Sequence, residues 1–94
     1  MFNSTNRPDG VIAFIGRLDA AQTEKANEVL SKLTSSVTLD FQELEYISSA
    51  GLGILLANQK RLKSQGNGLK LINLNKFIGD IFMYTGFDKL FEIG

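Results

Sequence analysis

The sequence contains no cysteine and no histidine. Without cysteine there is no disulfide, no thiolate nucleophile and no zinc site of the usual kind. Without histidine there is no imidazole to serve as a base near neutral pH. No catalytic residue, metal site or cofactor is therefore expected. An excess of one charge is missing too, since ten Lys and Arg balance ten Asp and Glu. Nucleic-acid binders ordinarily carry a basic excess, so direct contact with DNA or RNA is not expected. Apolar runs such as "ILLA" (54–57) span a few residues, against the roughly 20 that a membrane-crossing helix needs, so no membrane insertion is expected. "MFNSTNRPDG" lacks the apolar stretch of a signal peptide, and the expected location is the cytoplasm. What is present is a chain of 94 residues, 44% hydrophobic, suited to one globular domain over residues 1–94. A monomer is expected.

The one proline lies in "RPDG" (7–10), a turn signature in which Pro8 presets φ, Asp9 bonds its own backbone and Gly10 accepts a positive φ. The turn links a weak strand near 2–6 to a strong one at 11–16, "VIAFIG", apolar on both faces and hence central or well covered. Asp19 and Gln22 resemble a capping box opening a helix whose Ala26, Val29, Leu30 and Leu33 form one apolar stripe. A third strand is predicted at 35–41, followed by a short connection, "QELEYI". A second helix runs from 50 to about 65 and stops at "GNG", where Gly66 suits a left-handed C-terminal position. Its stripe is Leu52, Leu55, Leu56 and Leu62. A fourth strand (69–74), a third helix capped by Asn75 and ended by Gly86, and a short final strand complete the order β-β-α-β-α-β-α-β. Alternating strands and helices call for parallel pairs with right-handed crossovers, an α/β fold.

"EYISSAGLGILL" (45–56) carries the chemistry. Ser48 and Ser49 fall where a strand exits into the head of a helix, a place where ligands gather in open α/β sheets and where free N–H groups favour an anion. One reading is an N-cap serine. A nucleophilic serine would need a base that the sequence does not supply, and neither Gly-x-Ser-x-Gly nor a phosphate-binding glycine loop is present. Phosphorylation is the other reading, because a helix start tolerates added negative charge. Beyond the serines, Gly53, Ile54 and Ala57 lie off the core stripe as an apolar patch suited to a partner, with Gly53 permitting close approach. Lys60, Arg61 and Lys63 read as a solvated helix face.

"GRLDA" (16–20), "VTLDFQELEYISSAGLGILL" (37–56) and "TGFDKLFEI" (85–93) together resemble the STAS domain of bacterial anti-sigma factor antagonists, over nearly the whole chain. The resemblance implies an α/β fold, a small mixed sheet of four or five strands with helices packed mainly on one side. It implies a phosphorylation-controlled regulator without enzymatic activity, which binds an anti-sigma factor/serine protein kinase when unphosphorylated and is reset by a PP2C-type phosphatase. The family's acceptor precedes the glycine of "GLG" by two residues; that glycine is Gly51, so the acceptor maps to Ser49. Many members carry Asp before the acceptor, where this chain has Ser48, a rival acceptor. Asp19 matches the aspartate of the G-x-L-D motif near the acceptor. With the off-stripe patch added, the expected partner-facing set is Asp19, Ser48, Ser49, Gly51, Gly53, Ile54 and Ala57. Asp40 also matches a family position and reads as structural, bonding loop N–H groups at the end of a strand. Other STAS domains serve as accessory subunits of ABC-type transporters or bind nucleotides, and these are the alternative functions.

Overall fold

The computed structural model describes all 94 residues. Its elements are β1 (Phe2–Asn6), β2 (Ile12–Leu18), a 3-10 turn (Ala20–Gln22), α1 (Thr23–Leu30), β3 (Val37–Ile47), α2 (Ser49–Lys63), β4 (Leu69–Ile72), α3 (Lys76–Thr85), a second 3-10 turn (Phe87–Lys89) and β5 (Glu92–Ile93). The five strands form one mixed sheet in the order β1-β2-β3-β4-β5. β1 is antiparallel to β2 and every other pair is parallel. Because each crossover steps to the next strand in one direction, right-handed connections bring all three helices to the same face. No helix is long and apolar enough to cross a membrane.

Between sheet and helices lies one core of 18 buried apolar residues. Phe2, Phe14 and Phe41 build one end, Phe14 meeting Phe2 edge-on at 4.9 Å and stacking on Phe41 at 5.7 Å. Ile12, Phe14 and Leu18 alternate inward along β2, while Ala13 and Ile15 are half-buried and Arg17 is exposed on the opposite face. At Gly16, φ is +94°, and a side chain there would run into the Met1 carbonyl, so only glycine lets β1 close onto β2 at this point.

The third strand departs most from the sequence reading. β3 runs 11 residues, to Ile47, and absorbs all of the expected "QELEYI" connection. Its register against β2 shifts twice, between Ala13 and Ile15 and between Gly16 and Arg17. Each bulge breaks the alternation of faces, leaving Gln42 and Glu43 both exposed, so the stretch does not read as a strand. Asp40 consequently sits within the strand rather than at its end. β4 is shorter than expected and stops at Ile72. Asp19 caps the 3-10 turn that precedes α1, accepting a hydrogen bond from Ala21 N–H at 3.1 Å.

α2 also differs from its expected stripe. Leu52, Leu55 and Leu62 are buried but Leu56 is only half-buried; Asn58 and Gln59 are buried in its place. Gln59 donates to the Leu90 carbonyl (2.7 Å) and accepts from Leu69 N–H (2.7 Å), tying α2 to β4 and the C-terminal segment. Arg61, expected in a solvated face, turns inward instead. It donates to the Leu30 and Leu33 carbonyls at 2.9 and 2.8 Å, adding a second bond to Leu30, which already accepts from Leu33 N–H, and pairing the Leu33 carbonyl just beyond α1.

Candidate functional site

The parallel register of β2 and β3 ends at Leu18 opposite Ile47, so Asp19 and Ser48 emerge side by side at the carboxyl ends of adjacent strands. Ser48 N–H donates to the Leu18 carbonyl at 2.9 Å, locking the two exits together. Ser48 has extended backbone angles and is the N-cap of α2: its hydroxyl accepts from Gly51 N–H at 3.1 Å, and its carbonyl accepts from Leu52 N–H at 2.9 Å. Ser49 is the first helical residue, is exposed, and its hydroxyl bonds to nothing in the chain. The first turn of α2 contains no acidic residue, so apart from the Ser48 bond to Gly51 N–H nothing in the helix itself offsets its dipole.

Gly51, one of the expected partner-facing positions, is buried and offers no surface. A β-carbon there would stand 2.9 Å from Leu18 Cγ and 3.0 Å from both Ile47 Cγ1 and the Leu18 carbonyl oxygen. Its absence lets the head of α2 sit directly on the ends of β2 and β3. Gly53 and Ala57 are exposed, and helical spacing places them on one line with Ser49. Ile54 lies apart, half-buried against the core. Toward its N-terminus the outer face of α2 is thus Ser49, Ala50, Gly53 and Ala57, all small side chains, before Lys60 and Lys63 follow.

Sequence reasoning missed a neighbouring feature. In β3, Tyr46 stacks on Phe77 of α3 with ring centres 5.8 Å apart, and the Arg17 guanidinium lies 4.4 Å from the centre of the Tyr46 ring. Tyr46 is two residues before Ser48, and Phe77 remains half-exposed. The signal was spread over three elements, and only the register that sets Arg17 opposite Tyr46 unites it.

Asp40 is remote from the serines and sits in a buried polar junction. Its Oδ2 accepts from Arg7 Nη1 (2.7 Å), and its Oδ1 accepts from Gln42 N–H (2.9 Å) and Asn73 Nδ2 (3.0 Å). Burial pushes its carboxyl upward, but the bonds from Asn73, Gln42 and Arg7 outweigh this and hold it below the ordinary value. Asp9 is likewise lowered, first by Val11 N–H and then by Arg7, while the bonds to Asp40 and Asp9 raise the Arg7 guanidinium. This junction pins the β1–β2 turn to β3. Nowhere do three Asp or Glu side chains converge on a point that could hold a metal ion. No surface hollow is lined by Ser48 or Ser49, which stand on an open helix end.

A family model described as "Mlab, STAS domain" matches residues 2–92. The anti-sigma-B factor antagonist of Bacillus subtilis is 28% identical over 91 residues, covering 94% of this chain and 84% of that protein. Among solved structures, an anti-sigma factor antagonist from Mycobacterium paratuberculosis superposes with a TM-score of 0.81 at 20% identity, covering 99% of this chain and 83% of the other. The Bacillus cell fate determinant SpoIIAA in its phosphorylated form superposes with a TM-score of 0.71 at 17% identity, covering 100% and 91%.

Proposed function

The chain belongs to the STAS domain family, and on that premise we propose that it is an anti-sigma factor antagonist switched by phosphorylation of Ser49. With Ser49 unmodified it binds an anti-sigma factor that is also a serine kinase. The kinase transfers the γ-phosphoryl group of ATP to Ser49 Oγ, and the modified protein dissociates. A PP2C-type phosphatase hydrolyses the ester and restores the binding form. The output is release of a sigma factor, and the protein's part is binding rather than catalysis.

The observation that carries this reading is the division of labour between the two serines. Ser48 is engaged as the cap, whereas Ser49 presents a free, exposed hydroxyl at a helix start. Phosphate at this point is compatible with the fold, because the dipole and open N–H groups of α2 favour an anion. The same charge opposes binding, since the small-residue face beside it would have to desolvate a dianion against a partner. A curated relative named as an anti-sigma-B factor antagonist and a fold neighbour solved in phosphorylated form lend support.

The test is calorimetric titration of wild type, Ser49→Asp and Ser49→Ala against the anti-sigma kinases of the same organism, with mass-spectrometric mapping after incubation with ATP. Ser49→Asp should bind about tenfold or more weaker, roughly 1.4 kcal/mol. Ser49→Ala should bind and resist modification. Phosphate found only on Ser48, or equal affinity of the phosphorylated and unmodified proteins, refutes the switch. Capture of an ABC-type ATPase in place of a kinase would favour the accessory-subunit reading.

A further inference from the structure

A second surface lies toward the other end of α2. A groove of about 590 Å³ runs between the C-terminal half of that helix and the segment Lys89–Glu92. Its apolar floor is Leu56, which is half-buried and outside the core, with Leu90, 45% exposed, and the edge of Phe91. Its rim is basic on both sides: Lys60 and Lys63 from α2, and Lys89 from across the groove. None of these three lysines makes an ion pair, and the acidic residue on the rim, Glu92, is already paired with Lys70 at 3.6 Å. Cations at a helix C-terminus complement its dipole, which accounts for Lys60 and Lys63 but not for Lys89. In a chain with no net charge, three unpaired lysines around an apolar floor are a local concentration of one sign.

We propose that this groove docks an acidic amphipathic helix of a second partner protein. Leu56, Lys60 and Lys63 stand at i, i+4 and i+7, one stripe over two turns, which matches the i, i+3, i+4 and i+7 anchors of a helix lying alongside. A helix with an apolar ridge flanked on both sides by carboxylates meets the apolar floor and both lysine rims together. The buried Gln59, bonded to Leu69 and Leu90, holds the two walls at fixed spacing, so the groove is preformed. Lys60 and Lys63 lie roughly 16–21 Å along the helix from Ser49, beyond the screening length of about 8–10 Å. Charge at Ser49 therefore leaves the groove unaffected, and the proposal stands or falls independently of the switch.

The experiment is an NMR titration of the isotope-labelled full chain with a helical peptide of about 15 residues, bearing leucines at the anchor positions and glutamates on both flanks. The expected result is saturable shifts centred on Leu56, Lys60, Lys63 and Leu90, weakening with salt. Exchanging the peptide's glutamates for lysines should abolish binding. The variant Lys60→Glu/Lys63→Glu/Lys89→Glu, whose changes are all at exposed positions, should weaken it at least about tenfold, and Leu90→Ser should do likewise. Ser49→Asp should leave it unchanged. Equal binding of the acidic and basic peptides, no binding of the acidic one, or indifference to the charge reversal overturns the proposal. Shifts at these residues with sodium decanoate but not with the acidic peptide would make the groove a site for a small anionic amphiphile and overturn it equally.

Discussion

Two adjacent hydroxyls in "ISSAG" do different work because only one of them faces the helix interior N–H groups. Ser48→Ala removes a cap bond and should cost about 0.5–2 kcal/mol, while Ser49→Ala, which loses no internal bond, should stay within about 0.5 kcal/mol of wild type. Denaturant unfolding of the two variants reads this directly, and equal losses would contradict the assignment of the cap. Asp19→Asn probes the neighbouring strand exit. Asn caps nearly as well as Asp, so the fold should persist while phosphorylation or partner binding falls. A change in melting temperature alone would reduce Asp19 to its bond with Ala21.

Helix α2 is shaped by what its glycines allow. Ala at position 51 would press on a backbone carbonyl, which cannot yield as a side chain can. Gly51→Ala should therefore destabilise by about 1–3 kcal/mol, even after the helix-propensity gain of up to about 1 kcal/mol. At Gly53, by contrast, a β-carbon would meet nothing within 4 Å. Gly53→Ala should stabilise by about 0.5–1 kcal/mol. Opposite signs two residues apart on one helix are a sharp expectation, checked by thermal melts of both variants. The stripe of α2 was legible at Leu52, Leu55 and Leu62 but not at Leu56, which stays half-buried while Asn58 and Gln59 take its place. Polar side chains enter a core only with partners, and although Asn58 also bonds the Ile54 carbonyl of its own helix, Asn27, Leu69 and Leu90 lie outside α2. The inward turn of Arg61 was illegible for the same reason: its partners are carbonyls at the end of α1 and just beyond it.

Across the sheet, Asp40 links stability to pH. Its carboxyl is held low in the folded protein, so its contribution is complete above the unfolded value of 3.8 and is lost as pH falls through the folded one. Asp40→Asn sets an amide against Arg7 and should cost about 1–3 kcal/mol at pH 7. As pH falls from 3.8 through the lower folded value, the stabilities of variant and wild type should converge. Urea titrations from pH 7 down into the acid range test this. A difference that stays constant with pH would show that the junction acts through shape rather than charge.

The element order, the α/β class and the three helix–strand crossovers were all readable from hydrophobic period and turn chemistry, which act over a few neighbouring residues. A serine cap before α2, a cap at Asp19 and a cap at Asn75 were readable for the same reason, since each bonds an N–H within three residues of itself, although Asp19 caps a 3-10 turn rather than α1 and the sequence left open which serine caps. Period failed in β3, where bulges against β2 shift the alternation, and nothing in the strand's own residues records the register of its neighbour. Which of Ser48 and Ser49 is free, how Gly51 is buried, where Arg61 points and how Arg17, Tyr46 and Phe77 stack all depend on groups distant in sequence. These were decided only when β2, β3 and the three helices packed, because burial and hydrogen-bond satisfaction are properties of contacts rather than of residues.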